Sequence, residues 1–175
     1  MKLLKTGIAG LDEFLQGGLP PRVILLTGLP GTGNEVFARQ VAFARAKQCG
    51  ITYFTVNSTT DVVREDMAAY GWDITPIEEA GLWKFKTIPK TGALAEIVTA
   101  EMKQQRSVII DSLSEILLTR KTEETVNLLS AMSRQNKESQ ECHLLLLTKD
   151  MQSRQAEIAM QHFAEGVIVF SIRWS

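Results

Sequence analysis

Short hydrophobic runs alternate along the chain with stretches in which apolar residues recur three and four positions apart. The runs are rich in leucine, β-branched and aromatic residues, which is typical of strands. Several of them are apolar enough to be buried on both faces of a sheet. This pattern predicts six strands, at residues 22–28, 51–57, 82–88, 107–111, 143–148 and 166–172.

The stretches between the runs predict helices that each place one apolar face against the sheet. The apolar positions that define the five predicted helices are Phe37, Val41 and Ala44; Val63, Met67 and Tyr70; Leu94, Ile97, Val98 and Met102; Val126, Leu129 and Met132; Ala156, Ala159, Met160 and Phe163. Gly50 and Gly71 follow two of these stretches, where helices commonly end in a residue with positive φ. Strands and helices in alternation predict an α/β fold, in which helices cover a mainly parallel central sheet.

Composition bounds the class of protein. Of the 175 residues, 45% are hydrophobic and 22% are charged, so we expect residues 1–175 to form one globular domain. The formal net charge of −1 gives the whole molecule no attraction to nucleic acid or anionic lipid. Cys49 and Cys142 lack the spacing of a metal or disulfide pair, which favours reduced thiols in a cytoplasmic protein. No apolar run approaches the roughly eighteen residues that a membrane span needs, so we expect no membrane insertion.

The segment 25–40, LLTGLPGTGNEVFARQ, has the glycine spacing of a phosphate-binding loop. It follows a predicted strand and opens a predicted helix, so backbone N–H groups and the helix N-terminus would face an anion there. Such a loop normally ends in Lys followed by Ser or Thr, whereas this one ends in Asn34 and Glu35. The backbone pattern therefore predicts phosphate binding, and the two side chains argue against it.

Several further motifs follow one another along the chain. They are TGIAGLDEFLQGGLP near the start, the glycine loop, YGWDI at 70–74, VIIDSLS at 108–114, then LLLLT and FAEGVIVF. In this order the chain resembles the KaiC-type branch of the RecA superfamily over nearly its whole length. The resemblance implies a RecA-like three-layer sandwich that commonly assembles into rings, with ATP and Mg²⁺ between neighbouring subunits.

Only part of the family's nucleotide site has matching residues in this chain. Gly28, Gly31, Thr32 and Gly33 match the phosphate loop. Asp111, at the end of an apolar strand, matches the acidic residue that orients Mg²⁺ through water. We therefore expect these residues to mark the place where nucleotide would bind.

Four parts of the hydrolytic apparatus differ from the family. Asn34 stands at the position of the phosphate-binding lysine, and Glu35 at that of the magnesium-binding hydroxyl. Asn57 and Ser58 stand where the family usually places the carboxylates that activate the attacking water. The family's Lys-x-Arg, which reaches the neighbouring subunit's site, lies on a later strand. The sequence ends at Ser175, so we expect the last C-terminal strands to be missing. We expect a vestigial loop, no catalytic residue, and ATP and Mg²⁺ bound weakly if at all.

Charge determines how strongly the altered loop would hold a triphosphate. Exchanging Lys-Thr for Asn-Glu makes the pocket two charges more negative, and one charge ~5 Å from a phosphate oxygen is worth roughly 3 kcal/mol at an effective dielectric near 20. Arg39 lies four residues after Glu35 on the same helix face, where a pair could form between them. We favour the simpler interpretation that Glu35 suits the positive N-terminus of the helix. Asp111 has two open interpretations, an orienting residue for Mg²⁺ or a strand-end carboxylate that accepts hydrogen bonds.

Other candidate side chains are better explained by structure than by chemistry. His143 and His162 have no carboxylate or cysteine at ligand or triad spacing. Lys149 and Arg154 follow a central strand where RecA-like recombinases place a DNA-contacting loop, but they are too few for a polyanion patch and predict a solvated loop. WKFK at 83–86 alternates aromatic and basic residues, which predicts a strand with one apolar face rather than a base-stacking surface.

Three functions remain open from the sequence. The favoured hypothesis is a catalytically degenerate KaiC-like scaffold or regulatory binding module, which self-associates or joins related RecA-like subunits. The first alternative is a slow ATPase or ATP-binding sensor, because the loop amides and Asp111 remain. The second alternative is a nucleic-acid-binding RecA-like paralogue, which the charge of the chain does not support.

Overall fold

Residues 2–173 are described by the computed structural model, and they contain a sheet of six parallel strands. The strands are β1 (Val23–Gly28), β2 (Ile51–Thr55), β3 (Trp83–Thr87), β4 (Ser107–Asp111), β5 (His143–Thr148) and β6 (Gly166–Phe170). Their order across the sheet is β3-β2-β4-β5-β1-β6. The six predicted strands are confirmed, with ends at most two residues from the predicted ones. The expectation that the last C-terminal strands are missing concerns the end of the sequence at Ser175, which lies outside the described residues.

The helices are α1 (Ala9–Phe14), α2 (Asn34–Cys49), α3 (Thr60–Ala69), α4 (Thr75–Glu79), α5 (Leu94–Met102), α6 (Leu113–Thr119), α7 (Thr122–Ser139) and α8 (Arg154–Phe163). Helices α2, α3, α5, α7 and α8 confirm the five predicted ones. The sequence pattern missed α1, α4 and α6, because helices of five to seven residues are too short to repeat a three-and-four spacing. Gly50 and Gly71 have φ of 69° and 79°, as predicted for residues that end helices. None of the helices in residues 2–173 is both long and apolar enough to span a membrane.

Helices cover both faces of the sheet, which confirms the predicted three-layer α/β fold. The side chains of β1 contribute alternately to the two buried clusters, one on each face of the sheet, because successive residues of a strand point to opposite faces. Ile24 and Leu26 pack with residues of α2 and α3 in one buried cluster. Val23 and Leu25 pack with residues of α5 and α7 in the other. Strands β1 and β2 are buried along their whole length, so the carboxyl ends of the central strands form a rigid platform.

The opening motif TGIAGLD fastens the N-terminal segment to the helix that follows the glycine loop. The Asp12 carboxylate accepts hydrogen bonds from the backbone N–H and the hydroxyl of Thr6, each 2.8 Å long, and from the N–H of Gly7. Gly7 has φ of 78°, and a Cβ on it would lie 2.5 Å from the Cβ of Ala44 in α2. A side chain at Gly7 would therefore push the segment away from α2.

The β3 edge of the sheet is protected by charge. Glu101 of α5 is buried, and its carboxylate lies 2.6 Å from Lys84 Nζ and 2.5 Å from Lys86 Nζ. On the other face of β3, Trp83 is buried and Phe85 is half-buried. This alternation confirms the predicted strand with one apolar face, and two lysines on an exposed edge discourage pairing with another strand.

Candidate functional site

The glycine loop connects β1 to α2 at the carboxyl end of the sheet. Gly28 is the last residue of β1, and a Cβ there would lie 2.4 Å from Thr32 Oγ1. Gly31 and Gly33 have φ of 79° and 93°, and the space beside both is open. The Thr32 hydroxyl donates to the carbonyl of Leu29 at 2.8 Å, so it is used within the loop. Gly31 and Gly33 therefore have backbone conformations that favour glycine, and at Gly28 the approach of Thr32 leaves no room for a side chain.

Asn34 and Glu35 form the first turn of α2 behind this loop. Asn34 is 7% exposed, and its side-chain oxygen accepts a hydrogen bond of 3.1 Å from the backbone N–H of Glu35. Burial, followed by the neighbouring carboxylate of Asp111, raises the pKa of Glu35, and Arg39 opposes that rise. Two carboxylates therefore lie near each other at the place where the family would hold phosphates and a metal ion.

Arg39 lies one turn further along α2 and uses all three guanidinium nitrogens on other residues. Its Nε donates to the hydroxyl of Tyr53 at 3.3 Å, its Nη1 to Asp66 at 2.9 Å and its Nη2 to Asp111 at 3.5 Å. Tyr53 in turn donates its hydroxyl to the same Asp111 oxygen at 2.6 Å. We call Arg39, Tyr53, Asp66 and Asp111 the Arg39 network. The alternative pair between Glu35 and Arg39 does not form in the structure, since the guanidinium nitrogens bond to these other partners instead.

Burial makes the Arg39 network electrostatically strong. The side chains of Arg39 and Asp111 are 10% and 14% exposed. Burial alone would lower the pKa of Arg39, but the hydrogen bonds and charges of its partners outweigh it and raise this pKa. The pKa of Tyr53 lies well above 10.0, first because of burial and then because of the charge of Asp111. Tyr53 is therefore a neutral hydrogen-bond donor, and of the two interpretations of Asp111, the geometry favours a strand-end acceptor.

The remaining predicted site residues lie beside the network rather than within it. Asn57 and Ser58 follow β2 and are exposed. Asn57 borders a separate recess of about 210 Å³, which Lys90 and Thr119 also line. The sheet brings the ends of β2 and β4 together, with Thr55 beside Asp111, but Asn57 and Ser58 extend beyond this point. Within residues 2–173, no cluster of three or more His, Cys, Asp or Glu side chains is arranged to hold a metal ion.

Sequence reasoning missed two members of the network, Tyr53 and Asp66. Tyr53 has its polar hydroxyl in a strand that is otherwise fully buried, and a buried phenol usually has a hydrogen-bond partner. That was a usable signal for a polar site, although it did not identify the partner. Asp66 gave no signal, since a half-exposed carboxylate on a helix is common.

The other candidates have structural roles or exposed positions. His143 is fully buried: its Nδ1 accepts from the N–H of Val108 at 3.0 Å, and its Nε2 lies 3.1 Å from Asn136 Oδ1. Burial and the charge of Arg45 lower the pKa of His143 to about 3, so this histidine is neutral and structural, as predicted. His162 is exposed on α8.

The two surfaces considered for nucleic acid differ in what the structure shows. The ring of Phe85 is covered by the guanidinium of Arg64, 4.8 Å from its centroid, and its edge packs on Tyr53. One face of this ring is therefore already occupied by a cation of the chain. Lys149 and Arg154 are exposed around the turn after β5, which agrees with a solvated loop.

Relatives identified by sequence include proteins described as UPF0273. One from Pyrococcus horikoshii is 37% identical over 119 residues, which are 65% of this chain and 44% of that protein. One from Thermotoga maritima is 34% identical over 122 residues, which are 67% of this chain and 49% of that protein. The chain thus spans about half the length of the curated relatives it matches.

Solved structures with the same arrangement include two archaeal proteins. The KaiC-like protein of Pyrococcus horikoshii superposes with a TM-score of 0.79 and 25% identity, over 95% of this chain and 79% of that one. The flagellar accessory protein FlaH of Methanocaldococcus jannaschii superposes with a TM-score of 0.79 and 16% identity, over 99% and 83%. The likeness to FlaH concerns the fold alone, and together the two identify the fold as RecA-like.

A family match covers almost the whole chain. Residues 4–174 match the family described as ATPase: KaiC. This range contains the TGIAGLD motif, the glycine loop and Asp111, which are the features that carried the resemblance in the sequence. Motif order, fold and family match agree, and the chain belongs to the KaiC ATPase family.

Proposed function

We propose that this KaiC-family protein is a non-hydrolysing scaffold or regulatory binding module, which self-associates or joins related RecA-like subunits. The observation that carries the proposal is the Arg39 network. An arginine of the chain itself neutralises Asp111, the carboxylate that would otherwise serve a metal ion. A site in which Asp111 already has a counter-ion from the chain itself can stay folded without a nucleotide, which suits a protein whose role is assembly.

The side chains around the loop do not fit a magnesium-bound triphosphate. One oxygen of Asp111 already accepts from Tyr53 and Arg39, so a cation there would compete with a guanidinium for the charge of this carboxylate. Asn34 brings no positive charge to the phosphates. Glu35 adds a negative charge, and its raised pKa reflects how poorly the place tolerates a further anion.

Hydrolysis also needs a residue that activates the attacking water, and this chain offers none at the expected place. Asn57 and Ser58 carry no charge and cannot act as a base at neutral pH. They are exposed and lie beyond the Arg39 network. Water activation and metal binding make separate contributions to phosphoryl transfer, so restoring one leaves turnover blocked by the other.

A second candidate function, an ATP-binding sensor or slow ATPase, is favoured by the loop backbone. Gly31 and Gly33 keep positive φ with open space beside them, and the amides before a helix N-terminus can bind phosphate without side chains. We expect this backbone to bind ATP no more tightly than about millimolar, because it acts without a nearby cation.

Three proteins tested together distinguish the two candidates: the unmodified chain, the double variant Asn34→Lys with Glu35→Thr, and a triple variant that adds Asn57→Glu. Isothermal titration with Mg-ATP measures binding, and a phosphate-release assay measures turnover. We expect no turnover by the unmodified chain, tighter Mg-ATP binding by the double variant without turnover, and at most slow release by the triple variant.

A matched control carries the same exchange away from the loop. Asn127→Lys with Glu123→Thr makes the same change of charge on exposed residues of α7, and we expect it to leave Mg-ATP binding unchanged. Micromolar binding or steady phosphate release by the unmodified chain would contradict the scaffold proposal. The chain would then be a specialised ATPase that works with Asn34 and Glu35.

A further inference from the structure

Helices α5 and α7 lie side by side on one face of the sheet, and the two grooves between their ends differ in charge. Between the N-terminal ends, a recess of about 210 Å³ is lined by the carboxylates of Glu96 and Glu124 and by no cation. Between the C-terminal ends, a recess of about 220 Å³ is lined by Lys103, Arg134 and Glu138. The outer surface of this helix pair, which we call the α5/α7 surface, therefore has an acidic end and a basic end.

Three of these charges are free to pair with another molecule. Glu96, Lys103 and Arg134 are exposed, and none of the three forms an ion pair within residues 2–173. Glu124 and Glu138 differ, because each bonds to a neighbouring side chain of its own helix layer. The free charges are therefore one carboxylate at the acidic end and two cations at the basic end.

The middle of the α5/α7 surface carries small side chains. Ala100 is exposed, and Thr99, Ser130 and Ala131 are half-buried. Among the described residues, none of the large hydrophobic side chains that are exposed lies on α5 or α7, so the surface offers nothing for insertion into a lipid bilayer. Small side chains do allow two helices to approach until their axes are about 8 Å apart. The surface therefore suits a partner that is itself helical and charged.

A second copy of the chain has the complementary charges when it is turned end for end. With the two α5/α7 surfaces face to face about a twofold axis perpendicular to the helices, α5 runs antiparallel to α5 of the other copy, and α7 to α7. An axis between Thr99 and Ala100 places Glu96 of each copy opposite Lys103 of the other. The same axis brings Arg134 of each copy toward the acidic end of the other. A parallel arrangement would bring like ends together, so charge selects the antiparallel one.

We infer that the α5/α7 surface binds the α5/α7 surface of a second copy, antiparallel, with Glu96 of each copy opposite Lys103 of the other. The 18 residues of α7 span about 27 Å, and two helices side by side are about 20 Å wide, which gives roughly 500 Å² per copy. A total of roughly 1,000 Å² is the lower limit for a specific interface, so we expect a reversible dimer with a Kd that is micromolar or weaker. The inference rests on the self-association in the proposed function, and it does not depend on whether ATP binds.

Exchange of the free charges on α5 tests the pairing. In Glu96→Lys or in Lys103→Glu, only like charges lie opposite each other on α5, and we expect either exchange to weaken dimerisation at least about tenfold. The two exchanges in one chain restore opposite charges and should restore the dimer. An equimolar mixture of the two single variants should also dimerise, because a basic α5 then meets an acidic one. Light scattering across a hundredfold range of concentration measures all four samples.

Disulfide cross-linking tests the position of the axis. In Ala100→Cys, the two new cysteines are offset by one residue, or about 1.5 Å along the helices. With helix axes about 8 Å apart, their Cβ atoms come within the roughly 3.5–4.5 Å that a disulfide spans. Ala68→Cys, at an exposed alanine of α3 on the other face of the sheet, is the matched control. Under mild oxidation we expect Ala100→Cys to form a covalent dimer, and Ala68→Cys and the unmodified chain to remain uncross-linked.

The outcomes separate this inference from the proposed function. A dimer that both single exchanges leave intact uses another surface, which would overturn the inference and leave self-association standing. The same holds if Ala100→Cys cross-links no better than Ala68→Cys. A mass of 19.5 kDa for the unmodified chain at every concentration would overturn both the inference and the self-association on which it rests. Tight ATP binding in the separate titration would contradict the scaffold proposal alone.

Discussion

Helix α2 contains two buried arginines whose surroundings differ sharply. Arg39, near its start, has an acceptor for each of Nε, Nη1 and Nη2. Arg45, near its end, pairs through Nη2 with Glu141, while its Nε and Nη1 are buried without a hydrogen-bond partner. The same side chain on the same helix therefore has a partner for every nitrogen at the glycine loop, and for only one nitrogen at the opposite end.

The two arginines also differ in what they do for the ionisable side chains near them. Arg39 connects the middle of β2, the end of β4 and α3, so its loss would leave the largely buried Asp111 without a counter-ion. Arg45 lies near His143, and its positive charge helps to keep that histidine neutral. At the loop end of α2, Asp111 thus has a counter-ion from the chain itself, whereas the opposite end is sensitive to acid.

The largest expected effect comes from removing each arginine in turn. We expect Arg39→Met to lower the free energy of unfolding by about 3 kcal/mol, because a buried charge loses its partner. Arg45→Met should cost about 1 kcal/mol or less, since it also removes two unpaired N–H groups whose burial is unfavourable. Urea unfolding of both variants at pH 7 measures the difference. Equal losses would show that the number of hydrogen bonds made by the guanidinium does not determine how much each arginine contributes to stability.

Acid should destabilise the Arg45 end through His143. Its pKa falls from 6.5 in the unfolded chain to about 3 in the fold, so below pH ~6.5 the unfolded chain takes up a proton that the folded protein refuses. This contribution to stability is complete above pH ~6.5 and falls as the pH drops toward 3. We expect a loss of about 2 kcal/mol between pH 6 and pH 4.5.

Three variants separate this effect from other acid-sensitive groups. His143→Gln should remove that part of the pH dependence, whereas the exposed His162→Gln should retain it. Arg45→Met should make it smaller, because removing a positive charge lets the pKa of His143 rise toward its ordinary value. An unchanged pH dependence in His143→Gln would show that groups other than His143 cause the loss of stability in acid.

Tyr53→Phe tests the hydrogen bond at the centre of the Arg39 network. It removes the 2.6 Å contact with Asp111, and we expect a loss of about 1.5–2 kcal/mol, as for a hydrogen bond to a charged group. Tyr70 is 57% exposed, and Tyr70→Phe should change stability by less than about 0.5 kcal/mol. If both variants unfold at the same urea concentration, the phenol of Tyr53 contributes no stability to the network.

The smallest expected effect concerns Glu35. Its raised pKa means that the folded state disfavours the ionised carboxylate, so this residue lowers stability as the pH rises through the carboxylate range. We expect Glu35→Gln to stabilise the protein by less than about 1 kcal/mol at pH 7 and to have no effect below pH ~4. Glu96→Gln, which changes the exposed first-turn glutamate of α5, should give no gain. A loss in Glu35→Gln would support the favourable position at the helix N-terminus instead.

Much of the fold could be predicted because its signals are local. Strands buried on both faces read as continuous apolar runs, and helices longer than two turns repeat their apolar positions. The short helices α1, α4 and α6 escaped because they end before such a repeat is established. The glycine loop and Asp111 could be located for a similar reason: positive φ requires glycine, and a carboxylate that ends an apolar strand is conspicuous.

The sequence by itself determined the α/β fold, the place of the loop, and the fact that Asn34 and Glu35 stand where such a loop normally has Lys and then Ser or Thr. Only the tertiary structure decided what Arg39 does. Sequence spacing suggested Glu35 as its partner, four residues away on the same helix face. The sheet instead places Asp111 next to α2, although it lies 72 residues from Arg39, and a buried guanidinium binds the acceptors that lose most by staying unpaired. Which charged side chains meet in a core depends on the packing of segments that are far apart in the sequence, and a local sequence pattern does not contain that information.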